Sequence, residues 1–379
     1  MRPPASSPAP SAQAAQQLIA EATRAREAGM VDDAAELYRR ALALRPKWGE
    51  GWWYLATLLY DLDRYKEASA AFRETTRLLP KTGAPWIMLG LCEFQLELYD
   101  EALQHLRQGR QLGIGDNKEL VRVARYHEAM LLLRRGEFES AQRSLAAQAS
   151  DGLSSENLII ALGLAVLRMP VLPKSIDPAY RDRELIRRVG WAELQFAQKN
   201  LGDAQQEYER IVADHPKTPG VQYGYGRYLV ANQNEEAAVT AFLRESEISP
   251  QHALARFQIA YIKLQANDAP AGLPYAEEGV RLRPQLALGQ YVLGRLLFDA
   301  GQHTRAVDVL ETARRLAPDD PKIHFSLARA YLRTNRKADA DRARAEFVRL
   351  NKLIEEAAGN GAPRGEAIQE TDTGKPATP

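Results

Sequence analysis

Three pairs of residues in the second half of this chain place an aromatic ring four positions before an arginine: Tyr223 with Arg227, Tyr291 with Arg295 and Phe325 with Arg329. A fourth pair at the same register, Phe257 with Tyr261, replaces the cation by a second ring. Residues four apart on a helix are neighbours, so each such pair sets an apolar plate beside a fixed charge or a phenol. That chemistry suits an extended peptide with aromatic or aliphatic side chains and carboxylates, gripped by stacking, cation–π contact and bidentate ion pairs. The competing expectation is that the rings pack on a neighbouring helix while the arginines keep the surface soluble. Catalytic chemistry is not nominated. His105, His127, His215, His252, His303 and His324 show no metal-ligand spacing, and HExxH, CxxC and a phosphate loop after a strand are all missing. Cys92 stands alone and reads as a small buried hydrophobe. No cofactor is expected.

The elements that must position those pairs are written in two ladders. Ala34, Ala68, Ala102, Ala204, Ala238, Gly272, Ala306 and Ala340 stand at multiples of 34, and Pro46, Pro80, Pro216, Pro250, Pro284 and Pro318 follow twelve residues behind. Around each small residue, apolar positions recur at helical spacing on both sides of a short polar turn. Two antiparallel helices fit this: Gly90, Gly226 or Gly294 on the first and Ala102, Ala238 or Ala306 on the second let the backbones approach. Proline then ends the second helix, having no amide hydrogen to donate.

These marks resemble the tetratricopeptide repeat. The unit near 49 matches with Trp52, Leu55, Ala56, Leu59, Ala68, Phe72 and Pro80, and the unit near 219 with Tyr225, Gly226, Leu229, Ala238, Phe242 and Pro250. Clear units begin near residues 15, 49, 83, 185, 219, 253, 287 and 321. The resemblance implies an all-α, right-handed α-solenoid of antiparallel helix pairs, a superhelix whose first helices line a concave groove with their fifth and ninth positions. In the second array those positions are Val189, Tyr223, Phe257, Tyr291 and Phe325, and Glu193, Arg227, Tyr261, Arg295 and Arg329. In the first array they are Ile19, Trp53 and Ile87, and Thr23, Thr57 and Leu91. Trp53 is that half's candidate for the groove, with Trp52 on the core pattern. The chaperone-tail pattern of the family, with lysine and asparagines at set groove positions, is not present.

Organisation follows from the ruler. Residues 1–14, rich in proline, alanine and serine, and 358–379, rich in glycine, proline and charge, are expected to be disordered tails. Units one to three fill 15–116 and five more fill 185–357, ending in a charged capping helix from about Ala338 with Phe347, Leu350 and Ile354 on one stripe. Between them, 117–184 is expected to hold degenerate hairpins and an irregular loop at 170–178. The apolar run Leu158–Met169, opened by Ser154 and Ser155, is too short to cross a bilayer. In the unit near 253, Pro270 and Pro274 around Gly272 predict a second helix that starts late or is kinked.

The net charge of +1 gives no reason to expect nucleic acid or an anionic membrane surface. Arginine outnumbers lysine and alanine is abundant, as in GC-rich bacterial genomes. The compartment stays open between the cytoplasm and an exported location whose signal preceded residue 1, and the oligomeric state stays open too. The function expected is a non-catalytic scaffold that binds a protein or peptide segment, acidic or aromatic, in its groove. The alternative is an accessory subunit of an envelope or enzyme system that holds a carbohydrate or small ligand.

Overall fold

The computed structural model describes residues 10–115 and 117–359. Among them are nineteen α-helices and one 3-10 turn, with no strand. They fall into two compact units that divide between Asp151 and Gly152. The first holds α1 (Pro10–Glu27), α2 (Val31–Leu44), α3 (Gly49–Asp61), α4 (Tyr65–Leu78), α5 (Gly83–Gln95), α6 (Tyr99–Leu112), α7 (Lys118–Arg134) and α8 (Phe138–Ser150), paired as four consecutive hairpins. The second holds α9 (Glu156–Val166), the 3-10 turn Pro173–Ser175, and then five hairpins. Their helices are α10 (Arg183–Ala197), α11 (Leu201–Asp214), α12 (Val221–Ala231), α13 (Glu235–Ile248), α14 (Ala253–Gln265), α15 (Ala269–Leu282), α16 (Ala287–Asp299), α17 (His303–Leu316), α18 (Pro321–Arg333) and α19 (Lys337–Gly359).

The alanine ladder lies buried inside the hairpins. Ala34, Ala68, Ala102, Ala204, Ala238 and Ala306 have no exposed surface. Opposite them, a methyl group on Gly90 would lie 2.9 Å from Leu106 and 3.0 Å from the Ala102 carbonyl oxygen, and one on Gly294 would lie 2.6 Å from Leu310. The turn between the two helices uses a left-handed residue at the fifteenth position of every unit: Gly29, Asp63, Glu97, Lys199, Gln233, Asn267, Gly301 and Asn335. In the unit near 49 the Arg64 amide reaches back to the Leu59 carbonyl at 2.9 Å and the Asp63 amide to Tyr60 at 3.0 Å, the bonding of a helix end closed by a left-handed residue. Six of the eight carry side chains there, at about 1 kcal/mol of strain each.

The elbow between hairpins has its own bond. Proline ends the second helix but leaves a carbonyl, and the residue six positions on donates to it: Trp52 to Pro46 at 2.9 Å, Trp86 to Pro80 at 3.2 Å and Gln290 to Pro284 at 2.8 Å, with His324 Nε2 placed 2.6 Å from the Pro318 oxygen. Trp52 is thus half-buried, packed against the hydrophobic cluster of its unit with its indole N–H in use.

Several expectations change. Helix α1 begins at Pro10, so residues 10–14 belong to a helix; residues 1–9 and 360–379 lie outside the described residues. The segment 117–184 is divided: α7 and α8 form a full hairpin in the first unit, while α9 belongs to the second. Ser155 caps α9 by accepting the Leu158 amide at 3.2 Å, and α9 lies on α10 rather than folding into a hairpin of its own. Helix α15 starts on time at Ala269, because Asp268 caps the Ala271 amide and Pro270 sits in the first turn, where no amide hydrogen is needed. The last helix, α19, is the second helix of the unit near 321, prolonged, with Ala340 and Leu350 buried and Ile354 exposed.

The α9–α10 crossing is backbone on backbone. A methyl group on Gly190 would stand 1.8 Å from the Ile159 carbonyl oxygen, and one on Gly163 1.9 Å from that of Ile186. Gly190→Ala is expected to cost about 3 kcal/mol or more and to speed amide hydrogen exchange in α9 and α10. Gly202→Ala, with nothing within 4 Å of the new methyl group, should stabilise α11 by about 0.5 to 1 kcal/mol. Equal effects of the two in denaturant melts would refute this crossing.

Candidate functional site

The first helices of the second unit carry the predicted strip, and burial sorts it. Tyr223 is 6% exposed, with its ring 5.8 Å from Phe242 and 4.5 Å from His252 at the start of the next hairpin. Phe257 is 3% exposed and fills the hollow left by Gly279 and by Gly289 of the next hairpin, where added methyl groups would lie 2.6 and 2.3 Å from its ring. These two rings are packing, not plates for a ligand: each is covered by the hairpin stacked after it. Tyr291 is half-buried, and Phe325 is 46% exposed against Phe347 at 5.3 Å. Trp53, in the first unit, is half-buried and meets Phe72 edge-on at 5.6 Å.

The ninth positions divide in the same direction. Arg227 stands 3.5 Å from the buried Glu193, whose carboxylate also accepts the Tyr208 hydroxyl, so this cation is engaged within the fold. Burial and that carboxylate hold the Tyr208 phenol well above its ordinary range. Tyr261 is half-buried against the Leu293–Leu297 cluster. Arg295 donates to the Tyr291 hydroxyl at 3.1 Å, and its buried Nε has no hydrogen-bond partner among the described residues. Arg329 lies 4.6 Å over the Phe298 ring and 5.9 Å from that of Phe325. Among the described residues neither Arg295 nor Arg329 meets a carboxylate, whereas most arginines here do.

The open part of the strip is therefore its last two units. It includes Phe298 and the 48%-exposed Leu332, which the aromatic–arginine pattern passed over. Both hold the twelfth position of their units, after Val230 and Leu264, so an apolar ladder three residues behind the ninth position was the signal that would have found them.

Buried acids elsewhere tie helices together. Glu93, with no exposed surface, meets Arg73 at 3.1 Å and His105 at 2.6 Å. Glu245, also unexposed, accepts the Gly220 amide at 3.0 and 3.1 Å and the Tyr223 amide at 3.2 Å, so it fastens the start of α12 to α13. Burial raises the Glu245 carboxyl above its ordinary value, outweighing the amides and the Ser249 hydroxyl that lower it. A raised carboxyl stabilises the fold below its unfolded value and loses that contribution as pH climbs through the folded one. Wild type is therefore expected to lose stability relative to Glu245→Gln as pH rises above 4.5, read from thermal melts of both chains. A difference that does not change with pH would contradict this. Cys92 lies buried beside Glu93, and desolvation pushes its thiol up to about 12. Iodoacetamide at about pH 8 should leave it unmodified until the chain is unfolded.

Comparison with known proteins agrees with this architecture. Residues 189–253, 257–321 and 291–345 match the tetratricopeptide repeat model, and residues 27–109 match the model of anaphase-promoting complex, cyclosome, subunit 3. Anaphase-promoting complex subunit 3 of Schizosaccharomyces pombe is 25% identical over 142 residues, 35% of this chain and 21% of that protein. The CTR9 homolog of Arabidopsis thaliana is 27% identical over 164 residues, 41% of this chain and 15% of that protein. The chain thus spans about a fifth or less of these relatives. Among solved structures, MamA from Desulfovibrio magneticus RS-1 superposes with a TM-score of 0.41 at 19% identity, covering 44% of this chain and 94% of that one. The chain is a tetratricopeptide-repeat protein, an α-helical scaffold of the kind that serves protein interaction.

Proposed function

We propose that this protein binds an extended, acidic partner segment along the first-helix face of its last two repeats. The observation that carries the reading is the pair Arg295 and Arg329, at one register position of adjacent repeats, both without a carboxylate partner among the described residues and both set beside rings. Carboxylates of the segment would meet the two guanidinium groups, and its apolar side chains would lie on Phe325, Phe298 and Leu332. Tyr223 and Phe257 would act only by holding the repeats in register. No observation favours a carbohydrate in this place over a peptide.

The test separates fold from binding. Phe257→Ala should destabilise the chain by about 3 to 5 kcal/mol, as removal of a buried ring does. Arg295→Ala with Arg329→Ala should leave the melting temperature nearly unchanged, while weakening capture of peptides that alternate glutamate with leucine or phenylalanine by about tenfold or more, roughly 1.4 kcal/mol. Binding of those peptides to wild type should fall steeply with added salt. Unchanged affinity of the double variant, or indifference to salt, would remove the arginines from the account.

A further inference from the structure

The joint between α11 and α12 departs from every other elbow that carries the proline bond. Helix α12 begins at Val221, after Pro219 and a left-handed Gly220, and its start is held by Glu245 and pressed onto α9, where a methyl group on Gly220 would lie 2.5 Å from the Val166 carbonyl oxygen. Gln222 occupies the position from which Trp52, Trp86 and Gln290 donate to the proline carbonyl six residues back, yet it makes no such bond to Pro216. It is 1% exposed, and its carboxamide oxygen has no hydrogen-bond partner among the described residues. A buried acceptor left in this state has lost its water and gained nothing in exchange, so it destabilises the fold. The same side chain lines two adjoining cavities, of about 380 and 580 Å³, which also share Arg244.

The walls specify an occupant. The larger cavity has an apolar floor of Val212 and Ile248, and Lys217, Arg244 and Glu247 are exposed around it, the two cations without an ion-pair partner among the described residues. Both cavities flank α13, whose 14 residues give a groove about 20 Å long, enough for about six residues of extended chain. An extended backbone offers the N–H that Gln222 lacks, and one acidic side chain satisfies the two cations.

We infer that the groove along α13 is a second peptide site, separate from the first-helix face. It would take an extended segment with an aliphatic side chain on Val212 and Ile248, a carboxylate between Lys217 and Arg244, and a backbone amide donating to the Gln222 oxygen. This inference does not rest on the Arg295–Arg329 site, and either can fail alone.

The test uses the full chain and a synthetic array of hexapeptides in which every position is varied. Peptides retained through this groove should share an aliphatic residue next to an aspartate or glutamate. Their affinity should fall about tenfold with Arg244→Glu, and also with Gln222→Leu or with N-methylation of the one peptide amide that reaches Gln222. It should be unchanged in the Arg295→Ala, Arg329→Ala chain. Gln222→Leu should meanwhile raise the melting temperature of the free protein, since it removes an unsatisfied buried acceptor. Three results would overturn the inference: no retained peptide, retention indifferent to Arg244→Glu and Gln222→Leu, or a lower melting temperature for Gln222→Leu, which would mean that a bound water completes Gln222 as part of the fold.

Discussion

Close approach of two helix backbones at a small residue is the constraint on which the rest of this molecule depends. Where alanine or glycine stands on both sides, the helices of a hairpin come near enough for larger residues on either flank to interlock with the next hairpin. The α9–α10 crossing carries the same logic further, with glycine against glycine and carbonyl against α-carbon. Because each hairpin depends on its neighbours for the burial of its flanks, stability spreads along the chain in steps rather than gathering in one centre. Buried acids such as Glu93 and Glu245 add a bond at chosen places, each with donors waiting in the fold.

That constraint explains what could be read from the residues alone. A crossing that admits only alanine or glycine leaves a mark at fixed intervals, so the hairpins, their count in the clear stretches and the place of the irregular middle were legible. The proline ladder was legible as a stop signal, but not as an acceptor, since nothing in the type of Trp52 or Gln290 announces that its N–H turns back to a carbonyl six residues earlier. The turn was half hidden for a similar reason. Gly29 and Gly301 advertise a left-handed backbone, while Asp63, Glu97, Lys199 and Gln233 adopt it under the compulsion of the two helices they join.

The candidate site was legible in register and misjudged in exposure. Spacing put Tyr223, Phe257, Tyr291 and Phe325 at one position correctly, but ring type does not say whether another helix arrives above it. His252 and Gly289 come from the following hairpins, 29 and 32 residues further on, and they decide that Tyr223 and Phe257 are interior. Helix α19, heavily charged, carries the ladder's alanine at 340 and is the second helix of its own repeat.

The fifth position of the first helix passes from closed at Tyr223 and Phe257, through half-open at Tyr291, to open at Phe325. One chemical type at one register thus serves as mortar between courses or as the bare face of the last course, according to what is laid upon it. Lengthening such an array would enlarge its interior and leave the number of bare faces at this register the same. For a protein built by repetition, recognition at this position grows with edges and not with copies.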